Sequence, residues 1–339
     1  MPLTNFDPGG ARGFPMIGAG LGYGWKKDSN VYFVDGTQGS DGNPGDDPDS
    51  PFATIEKAIT ALTAYDVVYI MEKSFSGTDP TTYAGAAANH TIAFADLGCA
   101  FVGVSHAGMV GYPMTPYIMG MAATLTPIFT VNAPLCAFEN LHLSGGWGNS
   151  TTATVGIYAG DTIDATQSAQ GLSIFNCSFE DLEGNTPTMS RTTPPTGGGG
   201  IHIHGTWYSL VNHCRFRNCV VGVTIVSGTN TSVTNTVENC VFYADADTDV
   251  NVDVSVYCLG LANVAILNNY FAHLLPNYGS GDSKRFVYVA GGSEGGMIAN
   301  NHCGDDATQS AGAAGTGIIC PTTMGVSANY CECALMGAG

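Results

Sequence analysis

Charge is scarce in this chain: only 11% of its 339 residues are Asp, Glu, Lys or Arg, less than half the share usual in soluble domains. Long solvent-facing helices, which normally carry Lys and Glu, are therefore not expected. Positive charge is scarcest, with 10 Lys and Arg against 28 Asp and Glu and a net charge of −18. The ten cations are scattered and form no basic stripe, so a nucleic acid is not an expected partner. No window reaches 18 uninterrupted apolar residues, and a transmembrane helix is not expected either. The first residues, "MPLTNFDPGGARGFPMIGAGLGYGWKK", lack a charged stretch followed by an apolar one, so they do not read as a secretory signal. The 11 cysteines are an odd number in a large chain, which favours reduced thiols made in a cytosol over a disulfide framework.

What is abundant is glycine, 46 residues of it, together with Ser, Thr and Asn. Turns and stacked strands follow from that composition. One short motif recurs: "IFNCSF" at 174–179, "VNHCRF" at 211–216, "VENCVF" at 237–242 and "ILNNYF" at 266–271. Aligned on the third residue, the copies fall at Asn140, Asn176, His213, Asn239, Asn268 and Asn300, with Ala328 as a degenerate last copy. Between them sits a second motif: "GIYAG" at 156, "GIHIHG" at 200, "GVTIVSG" at 222, "VYCLG" at 256, "VYVAGG" at 287 and "GIICP" at 317. Each unit is strand, turn, loop, strand, with no helix between.

A solenoid accommodates such units, because each turn stacks only on its neighbours and insertions bulge from an edge. The expected fold is an all-β, single-stranded parallel β-helix. In its strands alternate residues point inward, so Cys177 and Phe179, Cys214 and Phe216, and Cys240 and Phe242 share the core face. Asn176, Asn239 and Asn268 belong at the bend, where their amides can bond backbone groups of adjacent coils, and Phe271 continues the phenylalanine column. Cys303 and Cys331 fall at the Phe position of their copies. Cysteine behaves here as a small buried hydrophobe.

The segment Val31 to Leu62, "VYFVDGTQGSDGNPGDDPDSPFATIEKAITAL", followed by "YDVVYI", resembles the opening of right-handed parallel β-helix proteins of the pectate-lyase-like superfamily, especially those of tailed-phage virions. The match lies at Tyr32 to Asp35, Gly39 to Asp41 and Pro51 to Ile59. The resemblance implies a helix capping the first coil. Asp49 or Ser50 is the expected cap, Pro51 the first helical residue, and Phe52, Ile55, Ala58, Ile59 and Leu62 one apolar face. The opening "MPLTNFDPGGARGFPMIG" is similar to the N-terminal arm of phage β-helix virion proteins, with Asp7 before Pro8 as a departure. Leu3, Thr4, Asn5, Phe6, Phe14, Pro15 and Ile17 are its expected attachment residues, since a Gly- and Pro-rich apolar segment forms no core alone and orders on a partner. The expected organisation is an attachment arm over 1–30, a leading strand and capping helix over 31–65, and a β-helix over 66–339.

Candidate chemistry is sparse. Glycoside hydrolysis needs two carboxylates at a set separation. The candidates are Glu180, Asp181 and Glu183, and the run Asp245, Asp247, Asp249 and Asp253, which reads more simply as a solvated edge. A lyase would want a cation, for which Lys284 and Arg285 are present. His202 and His204 share one strand face and His213 follows, but without a carboxylate or Cys at matched spacing they read as residues facing solvent or a neighbouring chain rather than as metal ligands. Cys331 and Cys333 are too solitary for a zinc site, and Cys214 and Cys219 read as apolar strand positions. Trp147, in "SGGWGNSTTATV", is a candidate sugar-stacking residue, and 183–200 is the longest insertion. No catalytic residue, metal or cofactor is assigned. The resemblance implies a structural virion protein, a homotrimer decorating the capsid surface and attached to other virion proteins such as the major capsid protein. The alternative is a tail spike that binds or cleaves host surface polysaccharide.

Overall fold

A computed structural model of the chain describes residues 29–71, 83–85, 90–104, 117–120, 127–145, 155–160, 169–182, 198–227, 233–244, 254–273, 285–290, 292–305, 317–331 and 336–338. The strands form three parallel sheets of ten, nine and nine strands, in which every neighbour is the equivalent strand of the next coil. The protein is a right-handed parallel β-helix. Ser173–Phe175 of the first sheet, Ser178–Glu180 of the second and Gly199–His204 of the third make one representative coil. No helix among the described residues is long and apolar enough to cross a membrane.

The recurrent Asn marks the corner between the first and second sheets. Asn140, Asn176, His213, Asn239, Asn268, Asn300 and Ala328 all have φ between 50° and 56°. This is the left-handed region that Asn visits most readily after glycine. The backbone N–H of each rung from Asn140 to Asn300 donates across to the next coil, as from Asn176 to the Asn212 carbonyl at 3.1 Å and from Asn268 to the Ala299 carbonyl at 3.1 Å. The side chains do less backbone bonding than the sequence suggests. Asn176 Nδ2 donates to Asn140 Oδ1 at 2.6 Å, amide to amide.

The backbone-bonding amides stand one residue later, inside the corner. There the column runs Cys177, Cys214, Cys240, Asn269, Asn301, Asn329. Each thiol donates to the carbonyl two residues before it, at 3.4 Å for Cys177 and Cys214 and 3.1 Å for Cys240. Asn301 Oδ1 accepts from the Asn269 N–H and amide at 2.9 and 3.0 Å, while its own amide donates to the Ile266 carbonyl at 2.9 Å. Burial pushes the Cys177 and Cys240 thiols well up from their usual range. Neutral buried thiols are neither nucleophiles nor metal ligands.

The inward middle residues of the second sheet form a stack: Phe179, Phe216, Phe242 and Phe271, with centroids 5.0, 4.6 and 5.0 Å apart. Register continues the column into Cys303 and Cys331. Opposite, the third sheet presents Gly156, Gly200 and Gly222, each against the phenylalanine of the next coil.

The corner from the third sheet back to the first is also left-handed, at Tyr65, Gly98, Leu135, Gly171, Tyr208, Thr234, Asn263 and Gly295. Large and small residues interlock here. The Leu135 side chain lies over Gly171, where a Cβ would sit 2.8 Å from Leu135 Cδ2.

The capping helix is Ile55–Ala61, and Phe52, Ile55, Ala58 and Leu62 are buried against the first coils. Its cap corrects the sequence expectation: Thr54, not Asp49 or Ser50, accepts from Lys57 N at 3.2 Å. Pro51 is not helical, because Phe52 bridges Val34 in extended form, its N–H donating to the Phe33 carbonyl and its carbonyl accepting from the Asp35 N–H, both at 2.9 Å. Asp41 then turns the chain by accepting from the N–H groups of Ala53 and Thr54, both at 3.0 Å. Glu56 binds His90 of the first coil at 3.1 Å and fixes the cap.

Candidate functional site on the second sheet

With middle residues turned inward, each strand of the second sheet offers two outward positions. The first column runs His142, Ser178, Arg215, Val241, Tyr270, His302, Tyr330. The second runs Ser144, Glu180, Arg217, Tyr243, Ala272, Gly304. The first column is the variable residue of the repeat, the x of Asn-Cys-x-Phe. The constant letters build the coil and the variable letter faces out.

The two columns divide into a polar end and an aromatic end. At the polar end Glu180 is held by Arg217 Nη1, and His142 Nε2 lies 2.8 Å from its Oε2. Burial lowers the His142 pKa to about 4 from its ordinary 6.5; Asp181 opposes that shift, and Arg215 and Arg217 reinforce it. The imidazole is therefore neutral at physiological pH. Asp181 is buried behind, its Oδ1 accepting from the Asn218 amide at 3.0 Å. Arg215 lies over the Tyr243 ring, 4.7 Å from its centroid. At the aromatic end Tyr270, His302 and Tyr330 stack with centroids 5.0 Å apart and planes within 17°. Tyr270 and Tyr330 are 44% and 59% exposed.

Of the predicted acids, Glu180 and Asp181 lie in this cluster, engaged as described. Glu183, Asp245, Asp247, Asp249 and Asp253 lie outside the described residues, as do Lys284, Trp147, Cys333 and the arm residues Leu3, Thr4, Asn5, Phe6, Phe14, Pro15 and Ile17. Arg285 begins a strand of the third sheet.

His202 and His204 do stand on the outward side of the third sheet, in register with Thr224 and Val226. The expectation that they face solvent or a neighbouring chain is corrected: both are buried, and burial lowers the His202 pKa to about 4. Strand alternation says which side of a sheet a residue takes, not whether that side is covered. His213 sits apart at the first corner, its ring 5.4 Å from that of Phe175. Among the described residues no three His, Cys, Asp or Glu side chains converge as a metal centre would require. The sequence reading missed Arg215, Arg217, Tyr243, Tyr270, His302 and Tyr330. Reading the x position down the copies would have found most of them.

Searches against protein-family models and curated proteins return no match. Solved structures do match. A rhamnogalacturonan lyase shares 15% identity over 88% of this chain and 73% of its own, with a TM-score of 0.49. The pectin methylesterase of Aspergillus niger shares 12% over 91% and 87%, with a TM-score of 0.47. The Dettilon tailspike protein shares 10% over 82% and 64%, with a TM-score of 0.31. The architecture stands on the chain's own three sheets, and none of these likenesses bears on activity. The class defined by fold and surface is a β-helix scaffold with one outward face divided into polar and aromatic ends.

Proposed function

We propose that the protein is a structural component of a tailed-phage particle, a trimeric β-helix decorating the capsid surface and joined to other virion proteins through its N-terminal segment. One observation carries this reading. The segment from Val31 to Leu62, which resembles the opening of phage virion β-helices, folds as the plug that such an opening must supply. It buries Phe52, Ile55, Ala58 and Leu62 over the first coil, and its helix locks there through Glu56 and His90. Covering that end protects strand edges that would otherwise pair with other chains. Deleting residues 2–24 is the test. The β-helix should remain folded by circular dichroism yet be lost from assembled particles, and full incorporation of the truncated chain would overturn the reading. Imaging of the particle then separates head from tail.

A second reading, glycan binding or cleavage by a tail spike, is favoured by the outward aromatic and arginine side chains of the second sheet. Tyrosine rings and guanidinium groups on a rigid sheet suit recognition of sugars. Incubation with host surface polysaccharide discriminates. Bound glycan without new reducing ends or unsaturated products means binding alone, and release of either product means cleavage.

A further inference from the structure

Most cations of this chain that are well placed are already engaged. Lys57 lies near the Phe52 ring, 5.9 Å from its centroid, and Arg217 holds Glu180. Arg215 differs. Among the described residues no carboxylate pairs with it, although it stands half-buried on the outer face beside a carboxylate cluster. Among the described residues the acids of this cluster are spoken for: Glu180 by Arg217, and Asp181 by Asn218. The Tyr243 ring supports the guanidinium from one side, at 4.7 Å. That fixes its orientation without consuming the donor fork, five N–H groups suited to a planar carboxylate or a sulfate. Ser178 adjoins Arg215 in the next coil on one side, and exposed Val241 on the other leads to the tyrosines.

We propose that Arg215 is the anion subsite of a ligand-binding face on the second sheet, one that takes a mostly neutral glycan carrying an isolated acidic group, with the neutral sugars running toward Tyr270 and Tyr330. This rests on the glycan-binding reading of that sheet. Net charge selects the isolated acid. A polyanion laid along a chain of net charge −18 is repelled over its whole length, whereas one carboxylate at Arg215 feels chiefly the groups within a Debye length, about 8 Å at physiological salt. Within the cluster Arg215, Arg217, Glu180 and Asp181 balance, and His142 is neutral, so the unshared donors of Arg215 decide the sign.

The test uses the full chain and three probes: a neutral oligosaccharide ending in one hexuronic acid, the same compound as its methyl ester, and the same compound with a sulfate ester in place of the acid. The free acid is expected to bind about tenfold or more tightly than the ester. Arg215→Met, which keeps the stem over Tyr243, should weaken binding of the free acid to the level of the ester and leave the circular dichroism spectrum unchanged. Tyr243→Leu should reduce the difference by loosening the guanidinium, and it serves as the second variant should Arg215→Met fail to fold. The sulfate arm tells whether the fork prefers a planar or a tetrahedral anion. Equal binding of acid and ester by the native protein overturns the subsite but leaves the glycan-binding reading standing. Binding of none of the three overturns both.

Discussion

The α-carbon of Gly200 rests against the ring of Phe216 one coil further on: a Cβ there would lie 2.7 Å from Phe216 Cδ1 and 2.6 Å from the Gly222 carbonyl oxygen. Gly156 and Phe179, and Gly222 and Phe242, repeat the arrangement. The phenylalanine stack thus fits only because the facing sheet has a column of glycines. Gly200→Ala is expected to destabilise the coil by about 1–3 kcal/mol, the usual cost of overpacking. Urea denaturation read by circular dichroism checks this, and an unchanged midpoint would show that the stack can shift aside.

Ala328 occupies the last described rung of the corner ladder at φ 53° and is exposed. Asparagine fills most other rungs, and a non-glycine residue without a short polar side chain is strained there by about 1–2 kcal/mol. Ala328→Asn is therefore expected to stabilise the C-terminal coils by about 0.5–1 kcal/mol. A higher thermal midpoint confirms it.

How much of this was legible in sequence divides along the repeat itself. The constant letters Asn, Cys and Phe report demands that every coil makes locally: a left-handed corner, a small buried side chain, a ring in the stack. A motif recurring at Asn140, Asn176, His213 and Asn239 reveals such demands directly. Pro51 suits a first helical turn, and only the long-range bridge of Phe52 to Val34, with bonds to the Phe33 carbonyl and the Asp35 N–H, holds the chain extended there. The arginine–tyrosine face was invisible for a related reason. Arg215 and Tyr243 are 28 positions apart in the sequence and become neighbours only once Arg217 and Tyr243 are in register, so nothing local marks the variable letter as a shared face.

Asn301 is bonded on both sides within the inner column, to Asn269, Asn329 and the Ile266 carbonyl. Replacing it by leucine strands several buried partners at once, each worth about 1–3 kcal/mol. Asn301→Leu is expected to cost about 3 kcal/mol or more and to lower the expression of folded protein. Cys214→Ala, in the same column three coils earlier, removes one sulfur and a weak thiol bond. It is expected to cost only about 1–2 kcal/mol. Comparable midpoints for the two variants would mean that the amide ladder is dispensable.

His142 and His202 make the fold sensitive to acid. Burial holds both near a pKa of about 4, against an ordinary 6.5, so between those values the unfolded chain takes up protons that the native state refuses. Stability is thus fully present above pH 6.5 and falls as pH drops toward 4, by up to about 1.4 kcal/mol per pH unit for each residue. Glu56, whose pKa is lowered from 4.5 chiefly by its hydrogen bond with His90, acts in the same direction at lower pH: its contribution is present above 4.5 and lost as its carboxylate protonates. Because Glu56 is partly exposed, that share is the smaller one. Unfolding free energies measured by urea titration between pH 7.5 and 4 should therefore decline with a slope that His202→Gln makes shallower by about 1.4 kcal/mol per unit, while Glu56→Gln flattens only the region below 4.5. Parallel curves for His202→Gln and the native chain would show that the imidazole takes up its proton as readily in the native state as in the unfolded chain.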